Sequence, residues 1–433
     1  MTTMNPPMTT AAPAESWRDR IKLTRMGTFG VVFILFGLLV LLAGVPATTA
    51  ETVTTLTFGP GLPALPVPTQ AYLVVAGVLW LAGGAFALFA PARFERIKSI
   101  WLLINGILII PTVLVAAAAN NSTNVTTLLQ VSVRLATPIV MGALAGIWCE
   151  RSGVTNIAIE GMMLTGACFG FVAFTLLIGV LPTGTAQFVG VIAATLSGGV
   201  MAVLHAWLSI TFKTNQIVSG TVINILAVGV TSFIRREVLL SSEAGREPLQ
   251  QIPIPFLRDI PVLGEIFFNG RPIFYMMFIL LFVTHIVLFY TRWGLRTRAV
   301  GENPKAADTL GINVLRNRWI NVMIGGLIAG LAGAWFSLET NGSFDDNMTS
   351  GRGFIALAAM IFGNWMPFGA FGGSVLFGFS DALGQRFQLL GVPIPSQFLQ
   401  MVPFIITIVV LAGLVGRAVA PKADGVPYEK EGK

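Results

Sequence analysis

The sequence has few charged residues for its length. Asp, Glu, Lys and Arg make up only 11% of the 433 residues, and 54% are hydrophobic. An ordinary globular domain is roughly 25% charged, because polar side chains must cover its surface. The composition therefore predicts an integral membrane protein. It excludes disordered, fibrous and disulfide-scaffold classes.

Residues that build metal and redox sites are also scarce. The two cysteines, Cys149 and Cys168, lie in apolar stretches without CxxC spacing. The two histidines, His205 and His285, fall in separate apolar segments. We expect the cysteines to be small buried hydrophobic residues, and we predict no metal site and no cofactor.

Common catalytic and nucleotide-binding motifs are missing. The sequence contains no GxxxxGK[ST] phosphate loop, no HExxH and no GxSxG. Gly351-x-Gly353-x-x-Ala356 matches a dinucleotide motif by letter, but it does not follow a strand in a βαβ unit. We therefore predict a protein that is not an enzyme. The net charge of +7 is typical of basic membrane loops, and no nucleic-acid partner is expected.

Long apolar runs dominate the rest of the chain. A helix needs about 20 apolar residues to cross a bilayer. The sequence predicts an all-α polytopic transmembrane helix bundle with about ten full spans. These predicted spans are 27–45, 70–90, 100–119, 133–149, 157–181, 187–212, 217–234, 273–290, 319–338 and 398–416.

Residues 353–383 do not fit this pattern. The stretch is too long for one span and too short for two, and Gly363-Asn364-Trp365-Met366-Pro367 interrupts it. We predict a broken hairpin of two half-helices that enters the membrane and returns to the same side. Residues 142–170 and 325–363 show a similar order of features in opposite membrane orientations, which predicts an inverted repeat.

The basic residues predict the orientation. With this hairpin and a cytoplasmic N-terminus, 19 of the 27 Lys and Arg residues fall in cytoplasmic segments. Both termini are then cytoplasmic. We predict three parts: an N-terminal extension with three spans (1–130), a transmembrane domain (131–416) and a cytoplasmic polar tail (417–433).

The polar segment 291–318 is the longest basic loop. Asn303 is typical of a helix N-cap, Pro304 suits the first helical turn, and Gly311 favours a helix end. The sequence thus predicts a short helix within the loop. Two interpretations remain open: a solvated loop that obeys the positive-inside rule, or a docking element for a partner.

Three ordered motifs resemble those of permeases from ATP-binding-cassette (ABC) importers of the simple-sugar and nucleoside class. The first is Glu150-Arg151-Ser152-Gly153 followed by Asn156-Ile157-x-x-Glu160-Gly161-Met162-Met163, which is closest to the nucleoside branch. The others are Gly301-x-Asn303-x-x-Ala306-Ala307-x-x-x-Gly311-Ile312 and Gly351-x-Gly353-Phe354-Ile355-Ala356-Leu357-Ala358. The resemblance covers about 131–416.

The resemblance implies a permease subunit that moves nucleosides or related small polar solutes, including sugars, across a bacterial or archaeal plasma membrane. It implies separate ATPase subunits, a second permease subunit that is homologous or identical, and an extracytoplasmic solute-binding protein. The ATPase-coupling residues would be Arg298, Gly301, Glu302, Asn303, Ala306, Ala307, Gly311 and Ile312. The alternative is an ion-coupled secondary transporter.

Polar residues within the apolar segments are the candidates for the substrate pathway. Intramembrane charges usually face a cavity or a partner. Glu160 could also pair with Arg151 or Arg134, or serve as a charge at a helix N-terminus. Core packing is the alternative for the other candidates. The predicted pathway residues are Asn156, Glu160, Asn224, Asn364 and Trp365.

Overall fold

A computed structural model describes residues 25–59, 61–239, 247–389, 401 and 418–430. Within these ranges nine helices are long and apolar enough to cross a membrane. The predicted all-α polytopic bundle is confirmed. The predicted span 398–416 lies outside the described residues except for residue 401.

The first of two compact units contains residues 1–56 and 65–123. Trp80 is fully buried in its second helix, and its indole nitrogen donates to the Asn105 carbonyl oxygen at 2.9 Å. A small sheet joins the helix ends in the order β2-β1-β3. The elements are α1 (Arg25–Leu39, continued by a π-turn), β1 (Val53–Thr57), β2 (Leu65–Pro68), α2 (Thr69–Phe89), α3 (Glu95–Ala117) and β3 (Ser122–Asn124).

The second unit contains residues 57–64 and 124–433. Its longer helices are α4 (Val125–Glu150), α5 (Ile159–Leu177), α6 (Thr183–Ala206), α7 (Gln216–Ile234), α9 (Pro272–Tyr290), α12 (Val314–Ala334) and α14 (Pro367–Leu389). Shorter elements are β4 (Ile252–Pro253), α8 (Leu263–Phe267), β5 (Asn269–Gly270), α10 (Arg292–Glu302), α11 (Pro304–Thr309) and α13 (Arg352–Phe362). Single π-turns extend α6, α7 and α12.

Small residues form the centre of the second unit, where α12 packs against α5 and α6. A Cβ atom on Gly330 would overlap backbone atoms of α6 around Ala194 and Thr195. Gly166 of α5 faces Gly330 in the same way. Lipid tails are as apolar as hydrophobic side chains, so the hydrophobic effect does not drive helices together within a membrane. Close packing of the backbones at small residues stabilises the bundle instead.

The segment predicted as a hairpin of two half-helices forms α13 and α14, and its return to the same side of the membrane stays a prediction. The chain does break at Gly363–Met366, where Asn364 and Trp365 adopt left-handed backbone angles (φ 52° and 53°). α13 has 11 residues and α14 has 23, and neither is among the nine described helices that are long and apolar enough to cross a membrane. The helix α14 continues beyond the predicted end at residue 383, through Arg386 to Leu389.

Two helices begin inside the bundle rather than at its surface. Ile159, the first residue of α5, faces Gly142 and Gly146 of α4. Gly142 precedes the end of α4 by eight residues, or about 12 Å of helix. Gly353, the second residue of α13, likewise packs against Glu160 at the start of α5. The N-termini of α5 and α13 therefore meet within the bundle. The two segments have the same element order, and their inverted repeat stays a prediction.

Candidate functional site

Glu160 joins the two internal helix N-termini. It lies in the first turn of α5, and its carboxylate accepts hydrogen bonds from the Thr349 hydroxyl (2.6 Å) and from the backbone N–H groups of Gly351 (2.8 Å) and Gly353 (2.6 Å). The first N–H groups of a helix have no intrahelical acceptor and carry partial positive charge. A buried carboxylate at the start of α13 satisfies these groups and holds the two segments together.

The alternative in which Glu160 pairs with Arg151 or Arg134 is not found, since neither arginine is among the described partners of its carboxylate. Arg151 instead donates to the Trp365 and Asn364 carbonyl oxygens, at 3.1 and 3.2 Å. Arg134 donates to the Asn269 carbonyl oxygen at 2.7 Å. Arg151 directly follows α4, and Arg134 lies nine residues after the first residue of α4, whereas Glu160 lies in the first turn of α5. The helix N-terminus therefore supplies the compensating charge.

Asn224 of α7 fixes the first turn of α5 from the other side. Its side-chain oxygen accepts from the Gly161 N–H at 2.8 Å, and its side-chain nitrogen donates to the Ile157 carbonyl oxygen at 2.9 Å. A carboxamide can make about four hydrogen bonds, so these two leave capacity for a solute. Glu160 and Asn224, two of the predicted pathway residues, are thus brought together.

A cavity of about 410 Å³ lies between α5, α7 and the start of α13. Its volume falls in the usual range for small-molecule sites. Its wall is largely apolar, with a carboxylate, two carboxamides and a hydroxyl placed around it. The lining residues are Glu160, Gly161, Leu164, Thr221, Asn224, Ile225, Val228, Asn347, Gly351 and Phe354.

Asn156 lies behind this wall. Its side chain is fully buried, and its oxygen accepts from the Ala158 N–H at 3.0 Å. Its nitrogen lies 3.3 Å from the Cys149 sulfur. These contacts shape the return between α4 and α5, and they place the Asn156 side chain outside the residues that line the cavity.

Asn364 and Trp365 lie at a different level of the bundle. They form the turn between α13 and α14, separated from Gly353 by most of the 11 residues of α13, or about 16 Å of helix. The Trp365 indole is buried and donates to the Glu150 carboxylate at 2.6 Å. The structure therefore separates these two predicted pathway residues from the cavity.

The short helix predicted in segment 291–318 is confirmed as α11. The Asn303 side chain accepts from the Ala306 N–H at 3.1 Å, and Gly311 adopts a positive φ of 78°. The structure adds α10 before it. Gly301 and Ala307 are buried, Ile312 is half-buried, and Arg298 lies over the Phe289 ring at 5.0 Å. The exposed predicted coupling residues are Glu302, Asn303, Ala306 and Gly311.

The sequence reasoning missed three residues. Phe354 is the aromatic residue of the cavity, and Asn347 adds a second carboxamide. Phe354 belongs to the motif Gly351-x-Gly353-Phe354-Ile355-Ala356-Leu357-Ala358, and its place in this motif is the sequence signal for it. Leu310 ends α11 with 81% of its surface exposed. Leu310 is one of three leucines in the polar basic segment 291–318, and the sequence alone does not distinguish it from Leu295 and Leu315.

The sequence of the chain also matches known proteins. Residues 128–411 match the family described as "Branched-chain amino acid transport system / permease component". The guanosine ABC transporter permease protein NupQ of Bacillus subtilis is 44% identical over 302 residues, covering 68% of this chain and 94% of that protein. The nucleoside ABC transporter permease protein NupC of Lactococcus lactis is 40% identical over 298 residues, with the same coverage.

A putative glucose ABC transporter permease protein of Haloferax volcanii, TsgC13, is 37% identical over 267 residues, covering 61% of this chain and 79% of that protein. No solved structure matches the chain. The family implies ATPase and solute-binding partners and a plasma-membrane setting. It replaces the alternative of an ion-coupled secondary transporter. The chain belongs to this permease family, and it is the membrane subunit of an ABC importer, in which a separate subunit hydrolyses ATP.

Proposed function

We propose that this chain forms one half of a nucleoside import pathway and that the solute crosses the membrane through the cavity beside Glu160. The cavity is the observation that carries the proposal, because it combines an aromatic ring with carboxamides at the meeting point of two helix N-termini. The guanosine and nucleoside permeases among the relatives support nucleosides as the solute class. The glucose permease makes sugars the second candidate.

The chemistry of the cavity suits a nucleoside. A nucleoside has a flat apolar base and a ribose with several hydroxyl groups. Phe354 is half exposed and offers a ring face for stacking. Asn224 and Asn347 can donate to and accept from polar groups on the base or the ribose. A free sugar would use the carboxamides but would gain less from the aromatic ring.

A second permease subunit, homologous or identical, would close the pathway. The face of α7 beside the cavity carries apolar side chains that are exposed in this chain, including Val222 and Ile225. Exposed apolar side chains border the cavity on this side, so this chain alone does not enclose a polar pathway through the lipid. We infer that a partner permease covers this face.

The α10–α11 end, where α4 ends and α7 begins, is proposed as the cytoplasmic side. It carries the basic segment 291–318, and the described part of the tail lies there too. ATPase subunits would dock on the exposed residues of α11 and on Leu310. The solute-binding protein would deliver the nucleoside at the opposite end of the bundle.

Uptake by the complete transporter tests the solute class. We expect saturable uptake of a labelled nucleoside when this chain is co-expressed with its ATPase, partner permease and binding protein. Phe354→Ala should raise KM by about 10-fold, because one base–aromatic stack contributes about 1–3 kcal/mol. Phe354→Tyr keeps the ring and should stay within about twofold of wild type.

Competition and a matched variant complete this test. Excess unlabelled nucleoside should block uptake, whereas free ribose or glucose should not. Phe188 is an exposed phenylalanine of α6 that does not line the cavity, so Phe188→Ala should leave KM unchanged. An unchanged KM in Phe354→Ala, or equal competition by free sugar, would contradict the proposal.

A further inference from the structure

Segment 418–430 packs against the α10–α11 end instead of extending away as a polar tail. The Ala423 N–H donates to the Gly301 carbonyl oxygen at 2.8 Å. Tyr428 is only 7% exposed and forms one apolar cluster with Val300, Ala307 and Val314. A buried tyrosine contributes substantial apolar contact, so this segment holds α11 in its place.

The same segment also contacts the return between α4 and α5. The Thr155 hydroxyl donates to the Asp424 carboxylate at 3.0 Å. Burial raises the pKa of Asp424 to about 6, although the hydrogen bond from Thr155 opposes this effect. Asp424 also lies beside the buried Glu150 carboxyl group, and the hydrogen bond between the two side chains likewise lowers the pKa of Asp424.

Arg318 of α12 connects both sides of this contact. Its side chain is almost completely buried, at 1% exposure. It donates to the Ser152 carbonyl oxygen at 3.1 Å and to the Val426 carbonyl oxygen at 2.9 Å. A buried guanidinium with these partners fixes the distance between segment 418–430 and the α4–α5 return.

These contacts form a continuous route from the docking loop to the cavity. Gly301 and Tyr428 link α10 and α11 to segment 418–430, and Asp424 links that segment to Thr155. Thr155 precedes Glu160 by five residues, and its N–H donates to Gln216 at the start of α7 at 2.7 Å. Two of the three helices around the cavity, α5 and α7, therefore begin beside this contact.

We propose that segment 418–430 is a transmission clamp, which transfers movement of the ATPase-docking loop to the starts of α5 and α7 and so couples ATP hydrolysis to solute passage. This inference rests on the proposed function of the cavity and of α11. It assigns Asp424 and Tyr428 as positioning residues, because neither lines the cavity and Tyr428 lies beneath α11.

The test compares hydrolysis with transport in the complete complex reconstituted in proteoliposomes. In the variant Asp424→Ala with Tyr428→Ala, we expect the ATPase to stay bound and its rate to remain within about twofold of wild type. Transport should fall by about 10-fold, so that the number of ATP molecules hydrolysed per nucleoside transported rises about 10-fold. A purely structural role would lower hydrolysis and transport together.

Two further variants make the result decisive. Thr155→Val removes the hydroxyl bound to Asp424 while segment 418–430 keeps its own sequence. It should also raise the number of ATP molecules hydrolysed per nucleoside transported, even if the double variant does not assemble. Glu429→Gln alters only an exposed ion pair with Lys213 and should behave as wild type.

The outcomes separate this inference from the proposed function. An unchanged ratio of hydrolysis to transport in Thr155→Val would overturn the clamp. Release of the ATPase by Asp424→Ala with Tyr428→Ala would also overturn it, because the segment would then serve docking alone. If the wild-type complex binds its ATPase but transports no nucleoside, the proposed solute is wrong, and the ratio is then measured with glucose.

Discussion

Replacing Leu310 with Asp is expected to separate this chain from its ATPase subunits. Leu310 has 81% of its surface exposed at the end of α11, in a loop that carries six basic residues. An exposed leucine among polar residues is typical of an anchor that fills a pocket on a partner. Burying a carboxylate in that pocket would be strongly unfavourable.

The expected effect is large and simple to measure. Interface anchors contribute about 2 kcal/mol or more, which corresponds to at least roughly a 30-fold loss of affinity. Co-purification of the ATPase with detergent-solubilised Leu310→Asp should therefore fail, while membrane insertion continues. Leu310→Met keeps an apolar side chain of similar volume and should retain the ATPase. Normal ATPase recovery with Leu310→Asp would remove α11 from the docking surface.

The exposure of Leu310 also changes which substitutions are informative. The small residue Ala307 invites a bulky replacement as a test of docking. In the structure Ala307 is only 2% exposed and lies on the buried face of α11, against Tyr428. A large side chain there would displace α11 from the bundle instead of blocking its outer surface, so Leu310 is the cleaner probe.

The second large effect is expected for Glu160→Gln. The Glu160 carboxylate accepts three hydrogen bonds from the segment that begins α13. An amide has one acceptor oxygen, so its nitrogen would face an N–H donor and leave that donor unpaired. One buried unsatisfied group costs about 1–3 kcal/mol, and the charge that stabilises the α13 N-terminus is lost as well.

We therefore expect Glu160→Gln to reduce nucleoside uptake by at least about 10-fold. The ATPase should still bind, because α10 and α11 do not contact this carboxylate in the described contacts. Glu237→Gln is the matched control, since Glu237 lies at the far end of α7 and does not line the cavity. Uptake by Glu160→Gln within twofold of wild type would show that the junction of α5 and α13 does not control the pathway.

Local sequence signals indicate several features of the structure around this site. Asn303, Pro304 and Gly311 gave the helix α11 because capping and φ preferences act over a few residues. Glu160 and Asn224 were identified because polar groups in apolar spans need partners. These rules require no knowledge of the tertiary fold.

Other features depended on contacts between distant residues. Trp365 was expected to face the solute, but the left-handed turn at Asn364 and Trp365 directs its indole to Glu150. The partners of Glu160 lie about 190 residues further along the chain, and no local pattern indicates them. The polar composition of residues 417–433 predicts a cytoplasmic tail. In the structure, Tyr428 and Ala423 attach segment 418–430 to the bundle.

The most direct test of the proposed pathway is protection of a single cysteine in the cavity. Thr221 lines the cavity from α7, whereas the neighbouring Val222 is exposed but does not line it. The native Cys149 and Cys168 are buried, so they should react slowly with a water-soluble maleimide.

In the assembled complex we expect Thr221→Cys to be labelled, and saturating nucleoside should slow this labelling by about 10-fold. Val222→Cys lies on the face that the partner permease should cover, so it should react slowly with and without nucleoside. Equal labelling of Thr221→Cys with and without nucleoside, in a complex that still transports, would contradict a pathway through this cavity.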